Sequence, residues 1–299
     1  MSLTIRGLTK QHKYILLEMG MNHAGEIEKL CKIASPDIAV ITNIGEAHIE
    51  NFRNVYGIAK AKSEIIESIS EGGTIILNRD DKFFNYLSKK AKLYKLKILT
   101  FGHHKKSDVQ IKKITKKENY SKIFININNK IIDLEIRDLN IHNVLASIAV
   151  LKVLKIDIDK IKSKLKNFES PEGRGKKYSI TRYKKKFNFI DESYNANPLS
   201  VKNAINKLNS IKKEKFKKYL ILGDMLELGS KSKKYHEQLS KVINNSDIDK
   251  VFIKGKKTIF TYKRLKKGIR GNILQNIEDI DISLREMISN NDHLMIKGS

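Results

Sequence analysis

The repeating unit of this chain is visible in KYILLEMGMNHAGEIEKLCKIASPDIAVITNIGEAH, residues 13–48. This stretch contains an apolar run at 13–19, a helical segment at 25–34 and a second apolar run at 37–44. A strand, a helix and another strand in this order predict two parallel strands joined by a right-handed helical crossover. Polar residues follow both apolar runs, and open parallel sheets bind ligands at the carboxyl ends of their strands.

The alternation of strands and helices continues through the rest of the chain. Further strands are predicted at 73–78, 96–102, 187–191, 218–224, 250–255, 271–275 and 293–299. Residues 107–137 differ, because alternating isoleucines precede Asn128-Asn129, a dipeptide that favours a hairpin turn. A cluster of proline and glycine at 171–175 predicts a domain boundary.

The length and composition indicate two globular domains. With 299 residues the chain is long enough for both, and we predict them at 1–171 and 172–299. No apolar run reaches the roughly 20 residues that cross a bilayer. The single cysteine, Cys31, has no partner for a disulfide, which is typical of a reducing compartment. We therefore expect a cytoplasmic protein without membrane insertion.

The formal net charge of +26 invites a nucleic-acid interpretation. The excess is mostly lysine spread along the whole chain, whereas sequence-specific binding uses side chains that read bases through paired hydrogen bonds. We therefore predict no nucleic-acid partner and expect the charge to help steer anionic ligands. A noncatalytic basic binding protein is kept as the alternative from a different functional class.

Eight sequence strings occur in the order found in one enzyme family. They are EMGMNHAGEI (18–27), TNIGEAHIENF (42–52), AKSEII (61–66), LNRDD (77–81), HNVLASIAVL (142–151), GRG (173–175), DESYNANP (191–198) and LGDMLELG (222–229). Through these strings the chain resembles the Mur ligases of peptidoglycan synthesis. The resemblance implies an α/β fold, with a mostly parallel central ATPase-type domain followed by a Rossmann-like carboxy-terminal domain.

The resemblance also implies an activity. Mur ligases use ATP and Mg²⁺ to convert a carboxylate into an acyl phosphate, which an amine then attacks. The strings YNANP and LGDMLELG favour the family member that joins D-alanyl-D-alanine to UDP-MurNAc-tripeptide. Another Mur-type ligase, or a folylpolyglutamate-type ligase, is the alternative within this class. Mg²⁺ fits this chemistry because phosphoryl transfer brings several negative oxygens together.

Three residues are implied to form the catalytic metal site. Glu18 and His48 would bind Mg²⁺, and Lys62 would become a carbamate that helps to hold a second ion. Each has an alternative structural interpretation: Glu18 as a solvated residue at a strand end, His48 as a loop histidine bonded to the backbone, and Lys62 as one more surface lysine.

The resemblance implies two further groups of residues. The nucleotide contacts are Asn78 with Asp80 or Asp81, His142, Asn143, Arg174, Glu192 and Asn195. The substrate contacts are Asn22, His23, Tyr194, Asn197, Asp224 and Glu227. Arg174 is the favoured nucleotide ligand and would reach the ribose or the phosphates, because a guanidinium pairs with phosphate through two parallel hydrogen bonds. Its structural alternative is a salt bridge at the domain hinge. The structural alternative for Tyr194, Asn195 and Asn197 is that they are only turn and cap residues before Pro198. His236 is expected to be exposed or at the edge of the core.

Parts of the family pattern are missing from the sequence. Ala146 stands where the family usually has a second asparagine, and Glu192 stands where it usually has aspartate. The glycine-rich phosphate loop ending in Lys-Ser/Thr is not found, nor are the UDP-binding domain and the last carboxy-terminal elements. We therefore expect a fragment that is inactive alone. The parent is expected to be a monomer, and uncovered strand edges would let the fragment self-associate.

Overall fold

The chain folds into two compact units, each containing one six-stranded sheet. The computed structural model describes residues 7–117, 120–137, 139–212 and 214–299. The first unit contains the residues up to Ile44 and Phe52–Phe168, and the second contains Gly45–Asn51 and Glu169–Ser299. Within the described ranges, no helix has the length and apolar character to cross a membrane.

In the first unit the strands lie side by side in chain order. They are β1 (Ile38–Ile41), β2 (Thr74–Asn78), β3 (Lys97–Gly102), β4 (Val109–Lys116), β5 (Ser121–Ile127) and β6 (Lys130–Ile136). The pairs from β1 to β4 are parallel and the pairs from β4 to β6 are antiparallel. The predicted turn is confirmed, since Asn128 and Asn129 have φ values of 51° and 62°, as a two-residue type I′ turn requires.

The helices of the first unit connect and cover this sheet. They are α1 (Glu26–Ala34), α2 (Val55–Lys62), α3 (Glu64–Glu67), α4 (Phe84–Leu93), α5 (Ile141–Val153) and α6 (Lys162–Lys166). Helix α5 packs on β2, β3 and β4, where Ile76, Phe101, Leu145 and Ile148 are completely buried. This packing fixes the first turn of α5 near the carboxyl ends of β2 and β3.

The second unit has the strand order β11-β10-β9-β12-β8-β7. These strands are β7 (Lys176–Arg182), β8 (Lys185–Glu192), β9 (Lys218–Gly223), β10 (Lys250–Lys254), β11 (Arg270–Ile273) and β12 (His293–Lys297). The helices are α7 (Pro198–Asn209), α8 (Ser232–Asn244), α9 (Ile259–Tyr262) and α10 (Ile277–Met287). The pairs from β11 to β8 are parallel and β7 is antiparallel to β8, so the predicted α/β class is confirmed in both units.

Some predicted elements differ from the structure. Residues 14–21 form neither helix nor strand, so the strand predicted at 13–19 is wrong, and Leu16 within it is 92% exposed. An apolar run forms a strand only where a neighbouring strand accepts its backbone hydrogen bonds. Strand β7 was not predicted from the sequence.

Candidate functional site

Three of the candidate side chains bind the backbone of the loop that follows β1. Lys62 Nζ, Asn78 Nδ2 and Asp81 Oδ2 lie 3.1, 3.1 and 2.7 Å from main-chain atoms of residues 42–44. The lysine and the asparagine donate to carbonyl oxygens, and the carboxylate accepts from a main-chain N–H. Together they fix the loop at the carboxyl end of β1, the edge at which parallel sheets bind ligands.

Lys62 lies half-buried at the last residue of α2. Burial lowers the pKa of its ammonium group, and the nearby Asp81 carboxylate partly opposes that shift. A lower pKa leaves a larger fraction of neutral amine at a given pH than an exposed lysine has. The neutral amine is the nucleophilic form of lysine, so this environment suits a chemical modification.

Glu18 and His48 have different surroundings. Glu18 is exposed in the stretch 14–21, which has no regular structure. His48 has a φ of 56°, and its Nδ1 lies 2.5 Å from Glu227 Oε2 without hydrogen-bond geometry. The Glu227 carbonyl also accepts the N–H of Glu50 at 3.1 Å. The strings TNIGEAHIENF and LGDMLELG are therefore in contact through these residues. The convergence of residues 18, 48 and 62 on a cation stays a prediction.

In each unit, an aspartate that follows a strand binds the backbone of a turn that contains a glycine. The Asp80 carboxylate accepts the main-chain N–H groups of the two residues after Gly102, at 2.6 and 2.9 Å. The Asp224 carboxylate accepts those of the three residues after Gly255, at 3.0, 2.9 and 2.8 Å. The two glycines have φ values of 144° and 124°, and a Cβ at either would lie within 2.5 Å of the carboxylate. Asp224, a predicted substrate contact, thus fixes the turn before α9.

The predicted nucleotide residues His142 and Asn143 lie in the first turn of α5. His142 Nε2 is 3.0 Å from Asp80 Oδ2, and the Asn143 N–H donates to the capping side chain of Asn140. Burial acts to raise the pKa of Asp80, but hydrogen bonds from the turn after β3 and from His142 outweigh it and lower that pKa. Asp80 is therefore a carboxylate at neutral pH.

Arg174 lies in a turn that is bonded to the DESYNANP loop. Its guanidinium carbon is 4.2 Å from the centre of the Tyr194 ring, a cation–π distance. The Asp191 carboxylate accepts the Gly173 N–H at 2.9 Å, and the Gly173 carbonyl accepts the Tyr194 N–H at 3.0 Å. The GRG turn and the loop therefore form one bonded element.

The remaining residues of that loop have partners within the second unit. Glu192 lies 3.4 Å from Lys207 Nζ, and the Asn195 side-chain oxygen accepts from the Ser299 hydroxyl at 3.1 Å. Asn197 is the N-cap of α7 and completes a capping box, which agrees with the structural alternative for this residue.

Asn22 and His23, two predicted substrate contacts, lie just before α1. The Glu26 carboxylate accepts the Asn22 N–H at 2.7 Å and lies 3.3 Å from His23 Nδ1. These bonds fix both residues at the start of α1 and leave their side chains largely exposed.

His236 is completely buried in α8, contrary to the expectation from the sequence. Its Nε2 accepts the Met225 N–H at 3.1 Å, so Nδ1 carries the proton and donates to the Ser232 carbonyl at 2.8 Å. The lysines around His236 in the sequence are typical of an exposed helix, so the few apolar residues nearby were too weak a signal to predict that the histidine is buried. His236 thereby fixes the LGDMLELG loop, which carries Asp224 and Glu227.

We expect the free energy of unfolding to fall as the pH decreases from about 7 to about 5. Burial lowers the pKa of His236 below its ordinary value of 6.5, so in this range the unfolded chain binds a proton that the folded chain does not. The stabilisation is complete above pH 6.5 and is lost as the pH falls through the folded pKa. Urea unfolding of His236→Gln should show a smaller slope against pH than the wild type. The exposed control His23→Gln should keep the wild-type slope, and equal slopes for His236→Gln and wild type would contradict this account.

Two family descriptions match the chain. "Mur ligase middle domain" matches residues 1–151, and "Mur ligase, glutamate ligase domain" matches residues 179–299.

Curated relatives match along nearly the whole sequence. UDP-N-acetylmuramoyl-tripeptide–D-alanyl-D-alanine ligases of Rickettsia prowazekii and Bacillus subtilis are each 31% identical over 99% of the chain. The chain spans 66% and 64% of those two proteins, respectively.

Solved structures of MurF ligases also match the chain. MurF from Acinetobacter baumannii matches with a TM-score of 0.85 and 27% identity, over 98% of this chain and 63% of that one. MurF ligase from Thermotoga maritima in complex with ADP matches with a TM-score of 0.82 and 26% identity, over 95% of this chain and 63% of that one.

Proposed function

Because the chain belongs to the Mur ligase family, we propose that it supplies the central and carboxy-terminal parts of an ATP-dependent D-alanyl-D-alanine ligase of peptidoglycan synthesis. The observation that carries this proposal is the match, over 99% of the chain, to relatives named for that reaction. The chain spans at most 66% of those relatives, so the activity is proposed for a complete enzyme that contains it.

The proposed reaction has two steps. A carboxylate oxygen of UDP-MurNAc-tripeptide attacks the γ-phosphorus of ATP, which gives an acyl phosphate and releases ADP. The amine of D-alanyl-D-alanine then attacks the acyl carbon, loses a proton and expels phosphate. The ADP in the related Thermotoga maritima structure supports the assignment of the nucleotide.

The residues proposed for Mg²⁺ are Glu18, His48 and carbamylated Lys62. A carboxylate and a carbamate offer the hard oxygen atoms that Mg²⁺ prefers, and the lowered pKa of Lys62 favours the neutral amine that forms a carbamate. Since His48 Nδ1 faces Glu227, we assign Nε2 of the ring to the ion. When bound, Mg²⁺ supplies positive charge to the phosphate oxygens.

The other candidate residues divide into contacts and positioning residues. We propose that Arg174, whose flat guanidinium is stacked on Tyr194, binds phosphate through its N–H groups. Asn78 and Asp81 position the loop at 42–44. The proposed nucleotide contacts are His142, Asn143, Glu192 and Asn195, and the proposed substrate contacts are Asn22, His23, Tyr194, Asn197, Asp224 and Glu227.

A panel of amine substrates tests this function. A complete enzyme that contains this chain should release phosphate from ATP with UDP-MurNAc-tripeptide and D-alanyl-D-alanine, and should give a much smaller rate with glutamate, lysine or diaminopimelate. Preference for one of those single amino acids would indicate another Mur-type or folylpolyglutamate-type ligase. Salt-sensitive binding of nucleic acid without ATP turnover would contradict the ligase proposal altogether.

A further inference from the structure

Two histidines and an aspartate converge at the carboxyl ends of β2 and β3. Asp80, His103 and His142 each offer one ligand atom, and these three atoms lie within 4.8 Å of one another. Asp80 follows β2, His103 follows β3, and His142 lies in the first turn of α5. All three belong to the first unit.

The carboxylate of this cluster is fixed by the backbone. Asp80 Oδ2 and Oδ1 accept the N–H groups of His103 and His104 at 2.6 and 2.9 Å. Gly102 permits this approach, because a Cβ there would lie 2.5 Å from Asp80 Oδ2. The Asp80 N–H is in turn bonded to the side chain of Asn78 at 3.0 Å. The position of the oxygen atoms therefore does not depend on a bound ligand.

The two imidazole rings lie close to this carboxylate and to each other. His142 Nε2 is 3.0 Å from Asp80 Oδ2, and the ring centres of His103 and His142 are 5.4 Å apart. This spacing allows one ion to reach a nitrogen of each ring and a carboxylate oxygen after small rotations of the rings. Asp80 Oδ2 accepts the His103 N–H through one lone pair, and its second lone pair becomes available to the ion when His142 Nε2 turns from the carboxylate to the ion.

The donor set decides which ions fit. Two imidazole nitrogens and one carboxylate oxygen suit Zn²⁺, Co²⁺ and Ni²⁺, whereas Mg²⁺ prefers a site in which most ligands are oxygen atoms. The net charge of +26 disfavours non-specific binding of cations, so a cation that binds must find a specific group of ligands. We propose that Asp80, His103 and His142 form a binding site for a first-row transition-metal ion, for which Zn²⁺ is the reference.

This site differs from the Mg²⁺ site of the proposed ligase. It shares no residue with Glu18, His48 and Lys62 and depends on side chains of one unit, and one of its ligands, His142, is also a proposed nucleotide contact. Three protein ligands leave a further position for water or an anion.

Calorimetric titration of the metal-free chain with Zn²⁺ tests the proposal. We expect one tight site per chain, a Kd raised at least about tenfold in His103→Ala, and no effect of excess Mg²⁺. His104→Ala is the matched control, because it removes a neighbouring imidazole outside the cluster and should keep the wild-type Kd. The His103→Ala change keeps the main-chain bond to Asp80, and circular dichroism checks its fold.

Nitrogen NMR of the wild-type chain gives a second measurement that does not depend on a variant. Addition of one equivalent of Zn²⁺ should shift a ring nitrogen of both His103 and His142 and leave His12 unchanged. Absence of tight binding, equal Kd values for wild type and His103→Ala, or shifts at other histidines would mean an adventitious ion only and would overturn the proposal.

Discussion

Replacing Lys62 by alanine in a complete ligase that contains this chain should reduce kcat by about 10²- to 10³-fold, the usual loss when a charge-stabilising group is removed. The reason lies in the environment of the amine. Lys62 is half-buried, its Nζ donates to the Asn43 carbonyl, and burial lowers its pKa. A neutral amine adds to carbon dioxide and loses a proton, which gives a carbamate with a negative charge where the unmodified lysine has a positive one.

Chemical rescue separates this role from a structural one. Short carboxylic acids should partly restore the activity of Lys62→Ala, because a small carboxylate can occupy the space of the carbamate. Lys60→Ala is the matched control: Lys60 is exposed on the same helix, and its loss should change kcat less than about twofold. Full activity of Lys62→Ala without added acid would refute the carbamate.

Replacing Asp247 by alanine should lower the free energy of unfolding by about 3 kcal/mol, as expected when a buried charge loses its ionic partner. Lys218 at the start of β9 is completely buried, and its Nζ donates to both carboxylate oxygens of Asp247 at 2.8 and 2.7 Å. It also donates to the carbonyls of Asn209 and Ile211. Without the carboxylate, the buried ammonium group keeps, among the described residues, the two neutral carbonyl partners.

Urea unfolding at neutral pH measures this effect. The control is Glu172→Ala, which removes a surface pair with Lys176 in the same unit and should change stability by less than about 0.5 kcal/mol. The double variant Lys218→Met with Asp247→Ala should recover much of the loss, because an apolar side chain tolerates the buried position. A loss no larger for Asp247→Ala than for Glu172→Ala would contradict the importance of this pair.

The sequence was sufficient to predict the fold class where local patterns determine it. Alternation of apolar runs and helices predicted the parallel strands, and Asn128-Asn129 predicted a turn that needs positive φ at both residues. It could not predict which strands pair. The run at 13–19 remains unpaired, and β12 lies between β9 and β8 because of contacts formed by distant parts of the chain.

The sequence predicted many of the residues of the candidate site, but it did not predict the contacts between them. Motif residues such as Asp81 and Asn197 were identified, but their bonds to a loop backbone and to a helix start depend on the fold. His103 was missed, although a histidine directly after a predicted strand was an available signal. The contact of His48 with Glu227 joins strings about 180 residues apart in the sequence, a distance over which no local pattern gives information.

Anomalous diffraction from Mn²⁺, in crystals of a complete ligase containing this chain with ADP, tests the central claim most directly. Mn²⁺ substitutes for Mg²⁺ at oxygen-rich sites and can be located independently of the protein atoms. We predict peaks beside the terminal nucleotide phosphate that contact the carboxylate of Glu18, the ring of His48 and a carbamate on Lys62. Peaks beside the phosphates that contact none of these side chains would contradict the account.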